Sequence, residues 1–284
     1  MQSPRMDGGD VAASYETISA LLELQECDDL IRIGSRHDGG YVHSLQIARL
    51  SDGLLSFGID LNWDFEKDFQ VLSHCKHIHA YDNSISRPAL FLGFINEVRK
   101  KAQELVTTRK KKGIGIARAM TYYSDFCATF APPNKFFRET IGMTSIKGHS
   151  TVSECLSRMQ RKGCHQIFLK CDIEGAEYEI IPDICKNSEG ITGLIVEFHD
   201  IGSNIKKFQD RLTELKNSFV AVHYHINNFY EYHGMKDLHE RLFAPIEVSF
   251  INRSLARSPR PSIKSYPVFG LDWPNIAPGA KGEF

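Results

Sequence analysis

Short apolar runs alternate with helical patterns through most of this 284-residue chain, and that alternation constrains the fold more than any other feature. Strands are predicted at 53–59, 77–82, 115–123, 166–171, 193–198, 219–226 and 246–252. Helices are predicted at 63–73, 89–108, 151–161, 176–185 and 204–216, the third opening on the capping box Thr151-Val152-Ser153-Glu154. Alternation of this kind is typical of βαβ units. It predicts an α/β fold with a doubly wound, mostly parallel, seven-stranded sheet and helices on both faces.

The last third of the chain breaks this rhythm. No strong helix of crossover length separates the strands predicted at 219–226 and 246–252, so we expect an antiparallel pair at one edge of the sheet. Prolines then interrupt regular structure after residue 254. We therefore predict three parts: a helical extension over 1–29, the α/β domain over 30–253, and a proline-rich tail over 254–284 that is extended along the surface or partly disordered.

Composition narrows the function classes. The formal net charge of −1 gives no field that would steer the protein to nucleic acid or to an anionic membrane, and no run approaches the roughly 20 apolar residues of a membrane span. The basic clusters at 99–101 and 109–112 are interpreted as a solvated helix end. The seven cysteines are scattered singly, and the N-terminus lacks the apolar core of a signal peptide. We expect a soluble cytoplasmic protein with reduced thiols.

The first two strand ends suggest a site for a nucleoside ligand. Ligands of open parallel sheets bind at the carboxyl ends of strands. One strand ends in Gly58-Ile59-Asp60, and the next ends in Asp82, an acid about 20 residues beyond the glycine turn, where a carboxylate can accept from ribose hydroxyls. Gly58-x-Asp60 replaces the G-x-G of dinucleotide sites. An acidic, glycine-poor turn favours a cationic ligand without phosphate, such as S-adenosylmethionine, although a tight turn capped by an aspartate remains an alternative.

The stretch FLKCDIEGAEYEII, residues 168–181, places acids at the end of a buried strand. Asp172 and Glu174 are predicted to face the cleft, as a general base for a hydroxyl or as ligands of a hard divalent cation. Glu177 and Glu179 are interpreted as acids that favour the first turn of the next helix. His199 and His225 follow at the ends of later strands, so Asp172 and the two histidines are expected at one rim. Hydrogen-bonded structural histidines are the alternative.

Two motifs resemble a known family. LKCDIEGAEYEI is similar to the K-x-D-x-E-G-x-E signature of FkbM-type methyltransferases, and RIGSRHDGGYV (32–42) resembles an entry segment of the related methyltransferase-like branch. The segments SFGIDLNWDFEKDF, AYDNS, GLIVEFHD and HYHINN follow in the expected order, and the resemblance covers about residues 30–253.

The resemblance implies a class I methyltransferase fold, S-adenosylmethionine as the methyl donor and O-methylation, frequently of sugars or other natural-product hydroxyls. It implies that Gly58 and Asp82 contact the cofactor and that Asp172 and Glu174 line the reaction site. It also implies that Asp38-Gly39-Gly40-Tyr41 closes over the donor. Asp60 stands where many members have glycine, next to the predicted donor site.

We therefore predict an S-adenosylmethionine-dependent O-methyltransferase that acts on a hydroxyl of a sugar, glycan or related small molecule, with Asp172 or His199 taking the proton. A Mg²⁺ or Mn²⁺ ion on Asp172, Glu174 and His199 stays open. One alternative is a catalytically silent binding protein of the same fold that recognises a glycan or a partner. Another is a nucleotide-sugar or nicotinamide enzyme, and the sequence leaves a homo-oligomer open.

Acceptor pockets in such enzymes are built from loops, here 128–148 and 230–243. Their aromatic side chains either stack on a sugar ring or belong to the core or a dimer contact: Phe130, Phe136, Phe137, Tyr230 and Tyr232.

Overall fold

The computed structural model describes residues 20–107, 115–227, 244–257 and 260–276. The strands are β1 (Leu30–Gly34), β2 (Gly40–Ser44), β3 (Gly53–Phe57), β4 (His77–Tyr81), β5 (Lys135–Phe137), β6 (Thr140–Ile141), β7 (His149–Ser150), β8 (Ile167–Cys171), β9 (Ile191–Phe198), β10 (Phe219–Ile226) and β11 (Ile246–Asn252). The helices are α1 (Leu45–Leu50), α2 (Asp64–Ser73), α3 (Arg87–Thr107), α4 (Ile116–Thr129), α5 (Val152–Gln160), α6 (Glu177–Lys186) and α7 (Ile201–Leu215).

The main sheet has seven strands in the order β10-β11-β9-β8-β3-β4-β5. Strand β11 is antiparallel to both of its neighbours, β9 and β10, and the other pairs of the sheet are parallel. The order runs outward in both directions from β3, so the topological switch point lies between β3 and β8. This sheet confirms the predicted class I methyltransferase fold, including the antiparallel C-terminal strands.

Helices cover both faces of the sheet and form two apolar cores. One core packs side chains of α5, α6 and α7 against the sheet, and the other packs α1, α2 and α4 on the opposite face. Every residue of β3, β8 and β9 is buried, as expected for central parallel strands that are covered on both sides. Among the residues that the structure describes, no helix is long and apolar enough to cross a bilayer.

Several predicted elements are confirmed, one is wrong, and one strand is missing from the prediction. The capping box of Thr151 and Glu154 opens α5 as predicted, with reciprocal side-chain and backbone hydrogen bonds. The strand predicted at 115–123 is instead the start of helix α4, which buries Ala119 and Phe126 on one face. Strand β5, three residues long and at one edge of the sheet, lies within the segment predicted as a loop.

The C-terminal segment 260–276 packs against the sheet and the N-terminal hairpin. Pro261 forms an isolated antiparallel bridge with Gln25, and the Tyr266 ring lies 4.7 Å from that of Tyr224 on β10. The Arg36 guanidinium lies 3.5 Å from the centre of the Trp273 ring. This segment therefore lies against both β10 and the turn between β1 and β2.

Candidate active site

Three acidic residues stand in left-handed backbone conformation directly beyond strand ends. Asp60 follows β3 with φ of 39°, Glu174 follows β8 with φ of 55°, and Asp200 follows β9 with φ of 49°. Left-handed backbone is uncommon for residues other than glycine, and such strained positions cluster at functional sites. The carboxyl edge of the sheet around the switch point is therefore the candidate site.

Gly58 brings the two strands at the switch point into close contact. Its φ is 73°, and a Cβ built on it would lie 1.6 Å from the carbonyl oxygen of Asp172. Any larger residue would push β3 and the turn after β8 apart. The Gly58 carbonyl accepts a hydrogen bond of 2.6 Å from the buried Lys170 ammonium, so the switch point is held by one glycine and one lysine.

Asp82 lies at the end of β4, where the sequence predicts a ribose-binding acid. Its Oδ2 accepts hydrogen bonds from the backbone amides of Ile59 and Asp60, both at 3.0 Å. Its Oδ1 accepts from the amide and the hydroxyl of Ser84. Burial of Asp82 opposes ionisation, but these hydrogen bonds outweigh it and lower the pKa. The carboxylate orders the turn after β3, and a ribose would have to replace the Ser84 hydroxyl.

Asp172 is held by groups from three parts of the chain. Its Oδ2 accepts a hydrogen bond of 2.8 Å from the Tyr41 hydroxyl and lies 3.7 Å from the Lys170 ammonium. Its Oδ1 lies 3.9 Å from Nε2 of His199. The carboxylate thus has one oxygen fixed by the protein and the other directed toward His199.

His199 sits beside Asp172 as predicted, and its orientation depends on Glu177. Nδ1 of His199 lies 2.5 Å from Oε1 of Glu177, a carboxylate that is completely buried. Burial opposes protonation of His199, but the hydrogen bond to Glu177 and the nearby acids outweigh it and raise the pKa to about 9. The sequence interpretation of Glu177 as a helix-start acid missed this contact, although its three-residue spacing from Glu174 was visible.

Asp172, Glu174 and His199 offer ligand atoms that all lie within 4.8 Å of one another. Oε2 of Glu174 is 3.6 Å from Nε2 of His199, and the Glu174 side chain is 86% exposed, so it can move to meet a ligand. Two carboxylates and one imidazole suit a divalent cation such as Mg²⁺ or Mn²⁺, provided that the cation displaces the proton that the neighbouring acids hold on His199. The donor set therefore fits the cation considered from the sequence.

A row of buried ionisable side chains extends from this site across the sheet. Strand register places Glu197 on β9 opposite Glu247 on β11, and Glu247 opposite His225 on β10. Burial and the charges of Asp172 and Glu247 raise the pKa of Glu197 well above its ordinary value. Burial raises the pKa of Glu247 to about 8 in spite of a hydrogen bond from Asn275. The sequence signal that could have revealed this row is a single acid within each of two mostly apolar strands, β9 and β11.

His225 lies at the far end of this row. Its Nε2 is 3.0 Å from Oδ1 of Asn275, and its Nδ1 is 3.5 Å from Oδ1 of Asp272, both in the C-terminal segment. Burial lowers its pKa. In the part of the chain that the structure describes, its side-chain contacts are with the C-terminal segment, so the structure brings Asp172 and His199 together and leaves His225 apart from them.

The predicted Asp38-Gly39-Gly40-Tyr41 segment spans the end of the β1–β2 turn and the start of β2, and it packs on the loop after β3. The side-chain amide of Asn62 donates to the Asp38 carbonyl at 2.7 Å, and a Cβ on Gly39 would lie 2.2 Å from the same nitrogen. A Cβ on Gly40 would lie 1.8 Å from the Ser35 carbonyl oxygen. This turn therefore lies against the candidate donor loop, and Tyr41 reaches Asp172 from it.

The aromatic residues that the sequence suggests for an acceptor pocket fall into two groups, those that the structure describes and those outside the described residues. Phe130 and Phe136 pack with Phe126, with ring centres 4.9 to 5.8 Å apart, and belong to the core. Phe137 stacks on Tyr81 at 4.6 Å. Tyr230, Tyr232 and the loop 230–243 that carries them lie outside the described residues, as does the basic cluster 109–112.

No family model and no curated protein matches this chain. Solved structures do match. Fibrillarin in its complex with Nop5p is 9% identical, over 71% of this chain and 73% of that chain, with a TM-score of 0.35. A Streptococcus pneumoniae protein provisionally named a tRNA (m1A22) methyltransferase, solved with S-adenosylmethionine, is 10% identical over 75% and 74%, with a TM-score of 0.35. A Staphylococcus aureus protein provisionally named a caffeoyl-CoA O-methyltransferase is 10% identical over 88% and 86%, with a TM-score of 0.32.

Strand order and the antiparallel β11, rather than these remote alignments, identify the fold. The FkbM-type assignment stays a prediction from the sequence motifs. The molecule therefore has the sheet of a class I methyltransferase, with an acidic site at its switch point where the Tyr41 hydroxyl contacts Asp172.

Proposed function

We propose that this chain is an S-adenosylmethionine-dependent methyltransferase that transfers the methyl group to a hydroxyl oxygen of a sugar-containing or related small molecule. The observation that carries this proposal is the acidic site at the switch point of the sheet, where Asp172, Tyr41 and His199 meet. The fold supplies the donor position, and the side chains supply a base beside it.

The charge of the site favours this donor over a dinucleotide. Asp60, Asp172 and Glu174 follow β3 and β8 at the switch point, where a pyrophosphate would meet like charge. The sulfonium and ammonium groups of S-adenosylmethionine are cations that carboxylates attract. We place the methionine part at the carboxyl edge of the sheet, over the backbone contact of Gly58 with Asp172, and the ribose beside Asp82, next to the Asp38–Tyr41 segment.

The geometry supports Asp172 as the group that takes the proton. The contacts of Tyr41 and Lys170 are with Oδ2, which leaves Oδ1 for a substrate hydroxyl. The acceptor oxygen attacks the methyl carbon in line with the carbon–sulfur bond, and sulfur keeps the bonding electron pair as S-adenosylhomocysteine leaves. The acceptor proton passes to Oδ1. Alignment of the two substrates supplies most of the acceleration.

A divalent cation is a finer part of the proposal. Asp172, Glu174 and His199 would hold it. When bound, such an ion lowers the pKa of a hydroxyl that it coordinates. Transfer that is lost with EDTA and restored by Mg²⁺ or Mn²⁺ would support this part, whereas transfer that EDTA leaves unchanged would remove it.

The test is methyl transfer from labelled S-adenosylmethionine to a panel of glycosides and phenols by wild type, Asp172→Asn and the exposed control Glu179→Gln. We expect turnover by wild type and the control, and at least a hundredfold loss in Asp172→Asn with S-adenosylhomocysteine binding retained. Full turnover in Asp172→Asn would remove this residue from proton transfer. Donor binding without transfer to any acceptor would favour the catalytically silent binding protein.

A further inference from the structure

An apolar groove of about 520 Å³ opens between helices α3 and α4 beside the loop after β3. Its volume falls within the range of pockets that bind small molecules, roughly 300–1,000 Å³. Apolar side chains of the loop and both helices form its walls, among them Leu61, Leu90, Phe94 and Tyr122. A second cavity of about 370 Å³ shares Leu61, Arg118 and Tyr122 with it. The two cavities therefore lie side by side, with these three residues in the wall of each.

The connection between β4 and β5 contains two helices, α3 and α4, which is one more than the sheet requires. Strands β4 and β5 are parallel neighbours, and one crossover helix is enough to join such a pair. Helix α4, with 14 residues, leads into β5 and packs Phe126 into the core. Helix α3, with 21 residues, is an additional element. Additions of this kind to a common fold are where substrate recognition is built.

Gly93 lies in the interior of α3 and lines the groove. Glycine destabilises a helix interior relative to alanine. A Cβ built on Gly93 would meet nothing within 4 Å, so packing among the described residues does not call for glycine here. A bound molecule that needs the space of a side chain would explain it.

The groove is continuous with the proposed donor site. Asp60 and Ser84 both line it, and both also donate hydrogen bonds to the carboxylate of Asp82. An occupant of the groove would therefore lie next to the ribose position. We propose that the groove binds the apolar part of the methyl acceptor, so that the acceptor hydroxyl belongs to a molecule with an alkyl chain or an aromatic ring. This inference rests on the proposed function.

The test compares two neutral glucosides as probes. Octyl β-D-glucoside carries hydroxyls and an alkyl chain, and methyl β-D-glucoside lacks the chain. Calorimetric titrations use the full chain saturated with S-adenosylhomocysteine, in wild type, Gly93→Glu and Ala102→Glu. The last is a matched control, because the exposed Ala102 is nine residues along α3 and hence about 180° around the helix from Gly93.

We expect wild type and Ala102→Glu to bind octyl glucoside at least tenfold more tightly than methyl glucoside, and Gly93→Glu to lose this preference while it binds S-adenosylhomocysteine normally. Equal binding of the two glucosides by wild type, or equal effects of the two substitutions, would overturn the inference and leave the proposed function intact. Loss of S-adenosylhomocysteine binding in Gly93→Glu alone would assign the groove to the donor and overturn it too. If wild type binds no S-adenosylhomocysteine, the proposed function fails and the inference falls with it.

Discussion

Glu247 offers the sharpest test of the buried ionisable row, because one isosteric change removes its charge. The side chain lies on β11 between Glu197 and His225, accepts a hydrogen bond of 2.9 Å from Asn275, and has a pKa raised to about 8 by burial. An unfolded chain restores the ordinary value of 4.5. The folded chain therefore holds the proton to higher pH, so the contribution of Glu247 to stability is fully present below pH 4.5 and is lost as pH rises toward 8.

The difference between these two values corresponds to at most about 5 kcal/mol, at 1.36 kcal/mol per pKa unit. Glu247→Gln removes this loss and keeps an acceptor for Asn275. We expect the unfolding free energy of the variant to exceed that of wild type by a few kcal/mol at pH 8.5, and to match it near pH 5. Urea denaturation at several pH values measures both, with the exposed Glu189→Gln as a control. Wild-type and variant stability curves that run parallel between pH 5 and 8.5 would refute this account of the row.

Three further substitutions test other contacts. Tyr41→Phe removes the 2.8 Å hydrogen bond to Asp172, and we expect it to lower the unfolding free energy by about 2 kcal/mol in urea melts; no change would mean that water replaces the hydroxyl. Glu177→Ala leaves Nδ1 of His199 unpartnered, so we expect a 10–100-fold lower kcat, unchanged S-adenosylhomocysteine affinity, and recovery in Glu177→Gln. Recovery that fails, or a donor affinity that falls in parallel, would contradict a positioning role. Gly93→Ala is expected to stabilise the protein by about 1 kcal/mol in the same melts, and destabilisation would reveal a contact that the structure does not show.

The sequence predicts the sheet well because the buried parallel strands are continuous, mostly apolar runs. It also locates the pair of Asp172 and His199, since carboxyl ends of neighbouring strands must meet at one edge. The failures have local causes. Strand β5 has three residues, too few for a periodic pattern. Tyrosine and threonine near residue 120 favour a strand by propensity. The segment is nevertheless the helix α4, because Ala119 and Phe126, seven residues apart, lie on one face of a helix and are both buried.

The buried row could not be predicted in the same way. Glu197, Glu247 and His225 become neighbours only through the register of antiparallel strands, which depends on the whole sheet. Asp272 and Asn275 join them from a segment whose prolines indicate an irregular surface tail. Glu177 belongs to the acidic motif, but its contact with His199 could not be predicted, because His199 lies 22 residues away along the chain. Contacts between distant segments thus decide which acids are structural and which face the site.

The most direct test of the central claim is a calorimetric titration of the purified protein with S-adenosylhomocysteine, and in parallel with NAD. The acidic switch point with Gly58, Asp82 and Asp172 predicts one site of micromolar affinity for S-adenosylhomocysteine and no heat with NAD. Binding of NAD without binding of S-adenosylhomocysteine would contradict the assignment of the donor, and with it the proposed methyl transfer.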